Sequence, residues 1–268
     1  MCELFAMSAS VPHTVCYELD LFAAEGGEKH RNRDGWGILF AQDRDAYLFR
    51  EPNPAATSEL SRMVVRHERP SKHLMAHVRR ASSGKPALAN THPFDRVVEG
   101  KRHAFAHNGD LPGIEELEEA RRWIPHRIGA TDSELAFLIL LDRLRTAGSI
   151  TAETRLDVFA RFASEMRELG SSNFLFFDGE QLFVHADRRR FETEHGLTDP
   201  REPGLNIRYF DVKNLGNSWN ATGAKIDEIS GPLYLFASVP LDPQGWEPLQ
   251  RGTAIVLKDG KIVSQRVS

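Results

Sequence analysis

Two cysteines in 268 residues, Cys2 and Cys16, cannot build a disulfide framework, so each thiol needs its own account. Cys16 reads as a small buried apolar side chain. No apolar run reaches the roughly 18 residues that a membrane-spanning helix needs, and the opening Met-Cys-Glu-Leu-Phe-Ala-Met lacks the basic and apolar regions of an export signal. These absences exclude a membrane partner and point to the cytoplasm. A basic footprint is missing too: the net charge is -4, which argues against a nucleic-acid partner. Arg188, Arg189 and Arg190 form the strongest basic run, but Asp187, Glu192 and Glu194 accompany them, so the run reads as a solvated face. The histidines show neither His-Glu-x-x-His nor Cys-x-x-Cys spacing, so no metal is expected.

With 41% apolar residues, the chain can bury a sizeable core. Short apolar runs at residues 4–7, 35–41, 46–49, 74–78 and 103–106 have strand lengths. Residues 133–144 and 156–169 carry apolar side chains near helical spacing. Asp178-Gly179 and Asp259-Gly260, each between apolar runs, are hairpin signals. Strands joined by tight turns are antiparallel, and consecutive helices between strand sets can cover a sheet face, which predicts layered antiparallel sheets with helices outside. Residues 186–232 are charged and rich in Gly and Asn, with one strand candidate at 205–209, and read as a long surface excursion.

Cys2 is the most informative position. If Met1 is removed, thiol and free amine share one residue, and an α-amine with a pKa of about 7.7–8.0 can accept the thiol proton and return it to a leaving amine. Taken alone, Cys2 could equally be an ordinary residue opening a strand. Arg79, in His77-Val78-Arg79-Arg80-Ala81-Ser82-Ser83-Gly84, offers a planar fork suited to a carboxylate, or a surface salt bridge. Asn90-Thr91-His92-Pro93 could shape a loop beside a site. Asn108-Gly109 is first a turn signal, but an Asn108 amide and a Gly109 N–H converging on one point would make an oxyanion hole. Thr131-Asp132-Ser133-Glu134 has capping-box spacing, with Thr131 as cap and Glu134 reaching back. That use leaves the Asp132 carboxylate free to hold an ammonium group.

Taken in order, Met1-Cys2-Glu3-Leu4, Asp34-Gly35-Trp36-Gly37, the segment 77–84, the segment 90–93, His107-Asn108-Gly109 and Thr131-Asp132-Ser133-Glu134 resemble class II glutamine amidotransferases of the N-terminal nucleophile hydrolase superfamily. The match is nearest to YafJ-like stand-alone proteins of that class. Trp246-Glu247-Pro248-Leu249 through Asp259-Gly260 resembles the end of the same domain, so one amidotransferase domain over residues 2–268 is expected.

The resemblance implies an α+β fold, a four-layer αββα sandwich of two antiparallel sheets between helical layers. It implies Cys2 as nucleophile with its amine as base, Asn108 and Gly109 as oxyanion hole, and Arg79, Asp132 and His92 as substrate-binding residues, Arg79 for the α-carboxylate and Asp132 for the α-ammonium. No cofactor is implied. The expected reaction is hydrolysis of the glutamine side-chain amide to glutamate and ammonia, with a separate ammonia-accepting synthase as a possible partner. The alternatives are a γ-glutamyl amide hydrolase acting on a larger compound and a catalytically silent binding protein. Where amino-sugar synthases of the class show Arg-Trp-Ala-Thr-His-Gly, this chain has Arg79-Arg80-Ala81-Ser82-Ser83-Gly84.

Overall fold

The computed structural model describes residues 2–17, 34–66, 69–80, 85–148 and 151–268, without the side chains of residues 17, 65 and 66. Two antiparallel sheets form its centre. The seven-stranded sheet runs, edge to edge, Glu247–Pro248, Asn206–Phe210, Leu233–Ala237, Glu3–His13, Ser71–Val78, Trp36–Gln42, Asp45–Glu51. The six-stranded sheet runs Lys261–Val267, Thr253–Lys258, Leu182–His185, Ser171–Phe177, Lys101–Asp110, Phe94–Val98. Glu3–His13 lies in the middle of its sheet, and its first seven residues are all buried. Covered on both faces, such a strand reads as a continuous apolar run rather than an alternation.

Pleating sends successive side chains to opposite faces, which sorts the core into layers. Leu4, Ala6 and Met75 from one sheet meet Ala104, Ala106, Leu175 and Val184 from the other in the inter-sheet core. Phe5, Met7, Ala76 and Leu235 point outward, where the described covering includes Leu60 and Val64 of helix Glu59–Arg66 and the small sheet of Val15–Tyr17, Ala224–Ile226 and Trp219–Ala221. Helices Asp132–Ala147 and Ala152–Leu169 cover the opposite side, where Phe137, Phe159 and Phe162 pack on Phe105, Phe174 and Phe176. The result is the αββα order.

Local chemistry ends the elements where the sequence indicates. Asp259 and Gly260, both at positive φ (47° and 66°), join Lys258 to Lys261 in a two-residue hairpin. At the other hairpin Asp178 accepts from the N–H groups of Glu180 and Gln181. Thr131 and Thr151 cap the two long helices, each accepting from the N–H three residues on. Glu134 does not close a capping box: its carboxylate takes the N–H groups of Ile128 and Gly129 and pairs with Arg96. Cys16 is half-buried rather than part of the core.

The segment 186–232 is more than a surface excursion. Asn206–Phe210 pairs with Leu233–Ala237 inside the seven-stranded sheet, and Asp187, Arg189 and Leu205 are buried. Its charged composition hides this because the polar side chains are paired internally. Arg189 meets Glu3, and Arg251 meets Asp187.

Four of the buried histidines are shifted strongly by these layers. Burial, joined by the charge of Arg79, pulls His77 down to about 3, and burial pulls His73 and His185 to about 4; His92 shifts the same way. Their unfolded values return to about 6.5. Between these limits the unfolded chain binds protons that the folded chain does not, so stability held above the unfolded value is lost as pH falls. His77→Phe removes a ring whose two nitrogens have no partner. The slope of unfolding free energy against pH, measured by urea denaturation near pH 5, should fall by about 1.4 kcal/mol per pH unit in that variant. An unchanged slope would mean that His77 is charged in the fold. At the inter-sheet core, Leu175→Ala should cost about 2–5 kcal/mol in the same assay, because Leu175 is fully enclosed and the cavity cannot collapse without moving both sheets.

Candidate active site

The sheet registers bring the start of the chain to one end of the sandwich. Glu3 pairs with Val78, so Cys2 lies beside Arg79 and Arg80. The Cys2 sulfur sits 3.2 Å from the Arg80 N–H nitrogen and 3.2 Å from the Arg80 carbonyl oxygen, so the thiol both accepts and donates. Burial pushes the Cys2 thiol up, while the Arg80 backbone contact and the Arg79 charge pull it back.

Asn108 approaches from the other sheet. Its Nδ2 donates to the Cys2 carbonyl oxygen at 2.7 Å and to Ser238 Oγ at 3.2 Å. Ser238 Oγ also accepts from Leu4 N–H at 2.9 Å, and Ser238 N–H donates to Leu4 O. Asn108-Gly109 is not a turn: both residues lie inside strand Lys101–Asp110, paired with Asn173 and Ser172. Gly109 is required by packing, since a Cβ there would lie 1.7 Å from the Ser171 carbonyl oxygen. Asn108 Oδ1 is buried and without a partner.

Arg79 is 3% exposed, and its backbone brackets the Asp34-Gly35 pair: Arg79 N–H donates to Gly35 O and Asp34 N–H to Arg79 O. Its Nη1 donates to Asp34 O at 3.3 Å. Gly37 of the same motif is needed because a Cβ would meet the His92 carbonyl at 2.1 Å. His92 itself is buried, with ring centroids 4.2 Å from His77 and 4.4 Å from Phe94, and neither of its ring nitrogens has a partner. Its ring therefore lies in a buried stack. His107 points the other way, toward Ser133 Oγ and Ser171 O, each at 2.9 Å.

Asp132 differs from expectation. Its Oδ2 accepts from Leu111 N–H and its Oδ1 from Ser133 N–H, both at 2.7 Å, so the carboxylate is engaged rather than free. The physical reason is its place in the first helical turn, where backbone N–H groups lack partners. The bond from Leu111 holds the helix start against the end of the Asn108 strand. Ala81, Ser82, Ser83 and Gly84, which differ from the amino-sugar synthase pattern, lie outside the described residues, as does Met1.

The structure thus brings Cys2, Arg80 and Asn108 into direct contact and places Asp132 next to Leu111. Ser238, Glu3, Arg189 and Asn173 join the same end, a place that the sequence reading gave to none of them; Arg189 was expected on a solvated face. A faint signal existed for Glu3 alone, a carboxylate among fully apolar neighbours. Among the described residues no group of three or more His, Cys, Asp or Glu side chains could hold a metal ion, and no helix is long and apolar enough to cross a membrane.

The pattern of the class-II glutamine amidotransferases matches residues 1–268. YafJ of Escherichia coli strain K12, whose name assigns it provisionally as a glutamine amidotransferase, is 36% identical over 191 residues, covering 69% of this chain and 73% of its own. An uncharacterized protein of Methanocaldococcus jannaschii is 32% identical over 269 residues, covering 98% and 71%. The crystal structure of a predicted glutamine amidotransferase from Pseudomonas aeruginosa superimposes with a TM-score of 0.71 at 28% identity, over 98% of this chain and 100% of that one. The fold is shared also with the glutamine phosphoribosylpyrophosphate amidotransferase of Bacillus subtilis, at TM-score 0.61 and 17% identity over 49% of that chain. The chain belongs to the class-II glutamine amidotransferases.

Proposed function

We propose that residues 2–268 act as one amidase domain that hydrolyses the side-chain amide of glutamine, or of another γ-glutamyl amide, through a Cys2 thioester. The observation that supports this most is the meeting of the Cys2 thiol, the Arg80 backbone and the Asn108 amide at one end of the sandwich, from chain positions 78 and 106 residues away from Cys2. Cys2 sulfur attacks the amide carbon and the carbonyl oxygen takes up negative charge. Asn108 Nδ2 and Gly109 N–H then serve as donors to that oxygen. Nδ2 can do so by exchanging its longer bond, the one to Ser238, while keeping the Cys2 carbonyl. Arg79 would hold the substrate carboxylate, Asp132 the ammonium through the lone pairs its two backbone bonds leave, and His92 would back the loop beside them.

In the working form Met1 is removed. The Cys2 amine then takes the thiol proton and gives it to the departing ammonia, and the same amine activates water that releases glutamate from the thioester. The ammonia is either released or handed to a separate synthase.

Two measurements test this reading. Asn108→Ala should lower kcat for ammonia release by about 10²–10³ with little change in KM, because the lost bond strengthens as charge develops. A loss confined to KM would make Asn108 a ground-state binder. Activity should also scale with the fraction of chains lacking Met1, measured by intact mass beside the ammonia assay. Full activity from chains that all retain Met1 would mean that another group is the base.

A further inference from the structure

The segment 187–192 is tied to each part of the candidate site. Arg189 Nη2 donates to Glu3 Oε1 at 2.6 Å, and Glu3 is the residue after Cys2. Glu192 pairs with Arg80 at 3.5 Å, and the Arg80 backbone brackets the Cys2 sulfur. Asn173 Nδ2 donates to Asn108 O at 3.0 Å and to Arg188 O at 2.8 Å, while its Oδ1 accepts from Asp187 N–H. Four of these six residues, Asp187, Arg188, Arg189 and Glu192, are therefore tied to the strand after Cys2, to the Arg80 segment and, through Asn173, to the Asn108 strand.

The Arg189–Glu3 pair is a poor device for stability. Glu3 is 0% and Arg189 1% exposed, and Glu3 Oε2 and Arg189 Nε and Nη1 have no hydrogen-bond partner. Burying two charges with three polar atoms unpaired costs more than an apolar pair of the same volume, so stability alone does not account for it. What the pair supplies is direction. A charge-assisted bond fixes the Glu3 side chain, and with it the first residue of the strand, in a way that apolar packing does not.

We propose that Arg189 is a positioning residue, which acts through Glu3 to fix Cys2 against Asn108. The Glu192–Arg80 pair and the Asn173 bonds complete the clamp, and Arg189 is itself held by its backbone pairing with Arg201 and by stacking on Phe191. The proposal rests on the reading of Cys2 and Asn108 as the amidase site.

The test uses the full chain as Arg189→Met, Arg189→Lys and the double variant Glu3→Met with Arg189→Met. Three readouts are taken: kcat and KM for ammonia release from glutamine, the alkylation rate of Cys2 by iodoacetamide followed by mass, and the midpoint of urea unfolding. Arg189→Met should lose about tenfold or more in kcat with KM within about twofold, and Arg189→Lys should recover part of that loss. The double variant should regain the wild-type unfolding midpoint while kcat stays low and the Cys2 alkylation rate stays shifted. Recovery of wild-type kcat and alkylation rate in the double variant would overturn the proposal, leaving the pair a structural ion pair. If Arg189→Met does not fold, the double variant alone decides. Should the wild-type protein release no ammonia, the amidase reading fails by itself, and the alkylation rate still tests whether the clamp sets the thiol.

Discussion

The hydrogen bond from the Asn108 amide to the Cys2 carbonyl oxygen crosses from one sheet to the other, and the site depends on it. Stacked sheets lie about 10 Å apart and are held mainly by apolar side chains, which resist separation but allow sliding. A polar bond of 2.7 Å between them does not allow sliding. The surrounding structure serves that distance. Glu3–His13 is fixed on both edges by Ser71–Val78 and Leu233–Ala237, Ser238 joins Leu4 to Asn108, and Gly109 lets the Ser171 carbonyl approach where no Cβ fits.

Polar atoms without a hydrogen-bond partner gather at this end: Asn108 Oδ1, both ring nitrogens of His77 and His92, Glu3 Oε2 and Ser172 Oγ. Buried polar groups in folded proteins are ordinarily satisfied, and the exceptions tend to fall at functional sites.

Legibility from sequence followed the range of the interaction. Strands and helices were readable because pleat and helical turn repeat locally, and the Asp-Gly hairpins because a positive φ needs particular residues. The ordered motifs around Cys2, Arg79, Asn108 and Asp132 were readable as a resemblance. Asn108-Gly109 looked locally like a turn, and only the approach of Ser171 shows why the glycine sits inside a strand. Asp132 looked free because its partner Leu111 is set by the helix docking on the strand, 21 residues away in sequence. The triplet at 188–190 looked solvated because nothing local announces that Arg189 pairs with Glu3 across 186 residues.

The same long separations govern how the molecule comes into being. The strand that follows Cys2 is completed on one side by residues 233–237, and Leu4 is bonded to Ser238, 234 residues later. Closing loops of that length is slow, and contacts of high sequence separation form late in folding. During synthesis the strand after Cys2 therefore waits, apolar on both faces, until residues 233–238 have been made. Cys2 is therefore among the last residues to be placed, although it precedes every residue it contacts.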